Sequence, residues 1–372
     1  MRRKLLRIIQ LTVVADSVGA PFEMRTREYL LDNLYAELLN LPRRDSPFDK
    51  GCEPGEYTDD GQQTIAVSRH LERIRKTGSI KFNYSQFIQD CLDVYDEDKK
   101  LKGVARGGHG KFINVAEFEG DRIAMQDSFN KLKQTDIGNG SGMRLNPFML
   151  PYLDGKELVE HIIGTTISTH NDLVSVIGNL TVVNILRSLY DDCIDPKNAI
   201  DHCLEWLNNK CYNFPDLSTC RIIYETLLNN NNLPQFGNFD EIVNMYKDYL
   251  NKINELEPCT NNLDNINHIV ITENHATSCL ASGGTGLPAR AKSTIGWFLY
   301  LIKNLYSCKS TLDIITRCIL VGGDTDTLAA YVFPISCIVF NRNNKTSEIL
   351  PKYIMNQLKE IDIISLNYKI GI

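Results

Sequence analysis

Apolar residues recur at three- and four-residue spacing along most of this chain. The segments 62–75, 84–95, 123–132, 173–190, 199–208, 220–228, 242–253, 294–305, 312–320 and 328–340 all follow that rhythm, which is the period of one face of an α-helix. Strand-like alternation is scarce, and 268–272 is the only stretch that reads as extended. The expected fold is all-α: a single compact multi-helix orthogonal bundle over residues 1–372, with its informative motifs between about 12 and 340. Two polar, turn-rich breaks, 229–237 and 258–267, read as loops within that domain, because the chemistry-bearing stretches fall on both sides of them.

The start is the one place where the pattern is ambiguous. Arg2, Arg3 and Lys4 followed by an apolar run from Leu5 to Val14 look like a secretory leader. The run continues directly into Asp16, Ser17 and Glu23, however, polar residues that belong to the candidate site, so it is read as part of the working chain. No other segment is expected to reach the roughly 20 apolar residues that span a bilayer.

Composition changes this picture little. With 43% hydrophobic and 23% charged residues the chain resembles ordinary globular proteins. A net charge of -6 argues against general nucleic-acid binding, which depends on clustered Lys and Arg. Eleven cysteines, odd in number and without metal-finger spacing, read as reduced thiols and a cytoplasmic location.

Two acidic clusters carry the candidate chemistry. Thr58-Asp59-Asp60 precedes an apolar-periodic segment, where Thr58 suits an N-cap and the two acids suit the positive end of a helix dipole. Gly322-Gly323-Asp324-Thr325-Asp326-Thr327 opens another helix. Capping explains one or two of these residues, but an N-cap uses a single side chain. About four carboxylates at two converging helix starts would repel one another strongly if buried. Hard divalent cations resolve that conflict, since Mg2+ selects carboxylate, hydroxyl and water oxygens. The donor set lacks the His and Cys that zinc sites use. Glu23, after a Gly and Pro turn, is a further acid that by itself reads as a solvated loop carboxylate.

Gly138-Asn139-Gly140-Ser141-Gly142-Met143-Arg144 is a glycine-rich loop whose backbone amides suit phosphate oxygens, with Arg144 near enough in sequence to add charge. It is neither a P-loop nor a dinucleotide fingerprint. Arg106-Gly107-Gly108-His109-Gly110 is similar in kind. His170 fits either a substrate contact or a hydrogen-bonded structural histidine. No Ser, Cys or His stands in a nucleophile-elbow or caspase-like context.

In their chain order these clusters resemble the ADP-ribosylglycohydrolase family, which includes hydrolases of ADP-ribosylated arginine and serine and dinitrogenase-reductase-activating glycohydrolases. The resemblance runs from Asp16 to about Ile335. It implies an all-α fold around a central binuclear site holding two Mg2+ ions, with Mn2+ as an alternative. Carried over by position, it makes Thr58, Asp59, Asp60, Asp324, Asp326 and Thr327 metal ligands. Glu23, Asp60 and Asp324 become the candidates for proton transfer. Gly138, Asn139, Gly140, Ser141, Gly142, Met143 and His170 would contact ADP-ribose. The implied activity is release of ADP-ribose from a modified protein or small conjugate. The alternatives are a catalytically silent, crystallin-like member and a two-metal phosphoesterase. The chain departs from the usual pattern at Ala15, where the family has Gly, and at Gly61, where it has Thr. It also reads Gly286 to Ile295 without the Glu that usually precedes an Ala-rich helix. None of these changes removes an expected ligand.

Overall fold

A computed structural model describes residues 1–43, 53–102, 138–210, 213–256, 287 and 289–370. The expected helix at 123–132, the extended stretch at 268–272, the 106–110 loop and Gly286 lie outside the described residues. Within them the protein is all-α, and the only extended pairings are two isolated bridges, Gly138 with Arg290 and Leu287 with Gly323.

The helices are α1 Arg2–Gly19, α2 Arg27–Leu38, α3 Asp59–Thr77, α4 Tyr84–Lys102, α5 Gly155–Ile167, α6 Leu173–Tyr190, α7 Ala199–Leu207, α8 Leu217–Asn230, α9 Phe239–Asn254, α10 Ala291–Lys303, α11 Thr311–Ile319, α12 Thr325–Asn344, α13 Lys352–Met355 and α14 Ile363–Lys369. Their ends follow local chemistry. Asp172, Asp216 and Asn238 each accept a backbone N–H at the starts of α6, α8 and α9, satisfying donors that the first turn leaves unpaired.

α1 lies at the centre, packed along α12 and across α3. From Leu11 to Gly19 every residue of α1 is buried. The apolar run from Leu5 to Val14 is thus core material, and this burial accounts for its leader-like appearance. Contrary to the expectation from sequence, α6 is also long and apolar enough to cross a membrane by length and composition, but 83% of its apolar window is buried inside the molecule, against 89% for the N-terminal one. Both serve as core helices here.

α12 contains Pro334 in its interior, which removes one helical hydrogen bond and leaves the carbonyl four residues earlier without its donor. Asn146 fills the gap, its side-chain amide donating to the Ala330 carbonyl at 2.6 Å. That contact also ties the segment after the glycine-rich loop to the helix that carries the second acidic cluster. The seven described cysteines are free thiols.

Candidate active site

The first acidic cluster sits where α3 begins. Thr58 is the N-cap, as its sequence context predicts, and its hydroxyl accepts from the Asp60 N–H at 3.4 Å. A partner from α1 fixes the turn more tightly. Asp16 accepts the Thr58 N–H at 2.9 Å, the Gly61 N–H at 2.7 Å and the Thr58 hydroxyl at 2.8 Å. Asp16 is fully buried. Asp60 is also buried, and its Oδ1 has no hydrogen-bond partner, whereas Asp59 is half-buried.

The second cluster begins α12. Gly322 and Gly323 both adopt φ of 75°, a left-handed conformation that glycine takes without steric cost. The turn they make is held from two directions. The Met24 N–H donates to the Gly323 carbonyl at 2.8 Å and the Gly323 N–H to the Arg25 carbonyl at 3.0 Å, while the Asp324 N–H donates to the Leu287 carbonyl at 3.1 Å. The first pair of bonds brings the Glu23 loop against the start of α12. Glu23 is buried there, not solvated as its isolated context suggests. Asp324 occupies the N-cap position but makes no side-chain cap bond, so capping does not account for it. Instead, carboxylate oxygens of Glu23, Asp324 and Asp326 lie within 4.8 Å of one another. Thr327 is buried beside them, its N–H donating to Asp326 Oδ1 at 2.9 Å.

The two clusters face each other. Burial raises Asp60 well above the ordinary carboxyl range, and the charges of Asp326, Asp16, Asp59 and Asp324 add to that shift. Asp324 is raised in the same direction by burial, Asp326 and Glu23, against a lowering by the Asn139 amide. Asp16 rises to about 8 through burial and Asp326, against the opposing donors from Gly61 and Thr58. Acids in such a group cannot all ionise without compensation. The oxygen-only donor set and the unpartnered, buried Asp60 Oδ1 fit the demands of a hard divalent cation.

The glycine-rich loop lies against this acidic centre. Asn139 donates to Asp324 Oδ2 at 2.6 Å and to the Thr294 hydroxyl at 2.9 Å. Ser141 accepts from Asn179 of α6 at 2.9 Å, and the Met143 carbonyl accepts from Thr64 of α3 at 3.2 Å. Gly142 is required for space, since a Cβ there would lie 1.2 Å from the Tyr331 hydroxyl, which itself donates to the Asn139 carbonyl at 3.2 Å. Gly140 faces the His170 ring, whose Cε1 would be 3.3 Å from an added Cβ. His170 is buried, with Nδ1 2.8 Å from the Thr169 hydroxyl.

Arg144 departs from expectation. It is fully buried and gives its guanidinium to Gln63, the Thr165 carbonyl and Thr169, each at 2.6 Å. It joins α3, α5 and the His170 turn from the inside, which removes it from the phosphate-facing role its sequence position suggests.

Four residues of this arrangement are not among the sequence-expected site residues, Gln63, Asn179, Thr294 and Tyr331, and Asp16, expected in the site, had no task there. Asp16 left a usable signal, being an acid inside an otherwise apolar helix, where an ionisable group requires a partner.

A family model described as ADP-ribosylglycohydrolase matches residues 2–332. Among solved structures, one titled "ADP-ribosylglycohydrolase-related protein complex" aligns with 99% of this chain and 96% of its own, at a TM-score of 0.50 and 16% sequence identity. At that identity the likeness concerns the fold. No curated protein matches.

Proposed function

The chain belongs to the ADP-ribosylglycohydrolase family, and from that membership we propose that it hydrolyses the glycosidic bond between ADP-ribose and a modified acceptor, releasing ADP-ribose. The observation that carries this reading is the meeting of two acidic helix starts, distant in sequence, with a glycine-rich loop bonded directly to one of them through Asn139 and Asp324. We assign two Mg2+ ions to the acidic centre, with Mn2+ as a substitute. Thr58, Asp59, Asp60, Asp324, Asp326 and Thr327 would hold them. Divalent cations bound there would supply Lewis-acid polarisation and increase the acidity of a ligated water.

The chain's own groups have separable tasks. Asp16 holds the Thr58 turn in place, and Asn139 holds the Asp324 carboxylate. The loop from Gly138 to Met143, together with His170, would bind ADP-ribose, the diphosphate being favoured by backbone amides. As the bond to C1 of the ribose breaks, positive charge develops on the sugar, and the nearby carboxylates stabilise it. Glu23, Asp60 and Asp324 are the candidates to move the proton: all three are buried, and the raised proton affinity of Asp60 and Asp324 suits acid–base work near neutral pH.

The test is incubation with ADP-ribosyl-arginine and ADP-ribosyl-serine peptides, with Mg2+ and with chelator, followed by chromatography. Metal-dependent appearance of free ADP-ribose supports the proposal. AMP with ribose phosphate would identify a phosphoesterase instead, and ADP-ribose binding without turnover a silent member.

A further inference from the structure

Residues after 332 lie beyond the family match, yet they return to the first acidic motif. The Lys359 N–H donates to the Gly55 carbonyl at 2.8 Å, and the Ile361 carbonyl accepts from Gln10 of α1 at 3.1 Å. At the end of α14, the Lys369 carbonyl accepts from Arg69 Nε of α3 at 3.1 Å.

The Lys369 side chain then goes inward and is only 7% exposed. Its ammonium bonds Asp98 of α4 at 3.1 Å, donates to the Tyr57 hydroxyl, lies 4.8 Å from the Tyr57 ring centroid, and has Glu360 of its own segment at 3.9 Å. Asp98 in turn accepts from Gln62 Nε2 at 2.6 Å. These contacts bracket one turn. Tyr57 precedes Thr58, and Gln62 follows Gly61. The ammonium therefore holds one end of the segment that carries Thr58, Asp59 and Asp60 directly, through Tyr57, and the other through Asp98 and Gln62.

A buried ion pair is an expensive way to stabilise a protein, because apolar side chains of similar volume usually do as well or better. What it supplies here is direction: a charged group bonded to Tyr57 itself and, through Asp98, to Gln62. We propose that Lys369 is a positioning residue for the acidic start of α3, so that the C-terminal segment completes the cation site. This rests on the reading of Thr58, Asp59 and Asp60 as cation ligands.

The experiment is Mn2+ titration of the metal-free chain of residues 1–372, with free Mn2+ read by electron paramagnetic resonance, alongside thermal melts by circular dichroism. The chain itself is compared with Lys369→Met, Tyr57→Phe and the double variant. Tyr57→Phe keeps the buried ring and decides the matter if Lys369→Met fails to fold. Loss of a supporting contact behind metal ligands typically weakens binding by roughly 10- to 100-fold, so about a tenfold weakening is expected in each single variant. In the double variant the two effects should be less than additive, since they act through one bond. Tight Mn2+ binding by the unaltered chain with unchanged affinity in Tyr57→Phe overturns the positioning role and leaves the cation site standing. Absence of Mn2+ binding by the unaltered chain overturns both.

Discussion

The Asn139 side-chain amide donates to Asp324 Oδ2 at 2.6 Å. This single bond joins the glycine-rich loop to the second acidic cluster, and the Asn139 carbonyl is itself fixed by the Tyr331 hydroxyl. Substrate loop and acidic centre therefore share a support.

Asn139→Ala should expose that coupling. It removes a charge-assisted bond from a buried carboxylate, a contact that contributes about 1.5–3 kcal/mol, and it frees the Asp324 side chain to leave its present position. ADP-ribose release at saturating Mg2+ should fall by roughly 10- to 100-fold, with a lower metal-free melting temperature. Turnover equal to the unaltered chain would show that Asp324 needs no such support.

Asp324→Asn separates charge from fold. Because Asp324 makes no side-chain cap bond, the amide costs α12 nothing at its start, and it removes one of the acids that crowd Asp326 and Glu23. The metal-free variant should melt at or above the temperature of the unaltered chain. Its activity, and the rise in melting temperature on adding Mg2+, should both be lost. A Mg2+-dependent rise of full size in this variant would remove Asp324 from the ligand set.

These contrasts reflect what a linear reading can and cannot reach. Helices with one buried and one exposed face, such as α9, stand out in the pattern and differ from expectation mainly at their ends. α1 is buried nearly all round and α2 exposes Leu31 and Tyr35 while burying Leu30, Leu34 and Leu38, so neither shows a clean polar face. Both acidic clusters were legible because several acids adjoin one another in sequence. Asp16 was not assigned a role because its partners lie at Thr58 and Gly61, 42 and 45 positions away, and only the folded packing of α1 against α3 supplies them. Arg144 was misjudged for a related reason, since its nearness to glycines gives no hint that Gln63 and Thr165 enclose it.

The acidic centre should also make stability depend on pH in an unusual direction. Asp16 has an ordinary value of 3.8 and is raised to about 8 in the folded protein, and Asp60 and Asp324 move the same way. Between those limits the folded state binds more protons than the unfolded one. The contribution to metal-free stability is therefore full below about pH 4 and is lost as pH rises through about 8. Urea midpoints measured in chelator should fall from pH 5 to pH 8.5, and saturating Mg2+, which replaces the proton's role, should flatten the decline. Asp16→Asn isolates the effect: the amide oxygen can still accept the Thr58 and Gly61 N–H groups, and its NH2 can donate to the Thr58 hydroxyl. A slope in that variant as steep as in the unaltered chain would exclude Asp16 as a source.

Gly61 poses the last question, because two physical effects oppose each other there. As the third residue of α3, it lowers helix stability by about 1 kcal/mol relative to alanine. An added Cβ, however, would lie 2.8 Å from Tyr57 Cδ2, 3.1 Å from Tyr57 Cβ and 3.0 Å from Asp16 Oδ2. Neither neighbour can easily retreat. Tyr57 is fully buried beneath Lys369, and Asp16 is bound to the same turn by three hydrogen bonds. Overpacking at such sites costs about 1–3 kcal/mol, which outweighs the gain in propensity. Gly61→Ala should therefore lower the melting temperature, and Gly61→Thr should lower it further because of its second branch at Cβ. The glycine thus fits the close approach of Tyr57 in this chain. A higher melting temperature for Gly61→Ala would mean that the Tyr57 ring yields, and with it the rigid backing of Thr58 and Asp60.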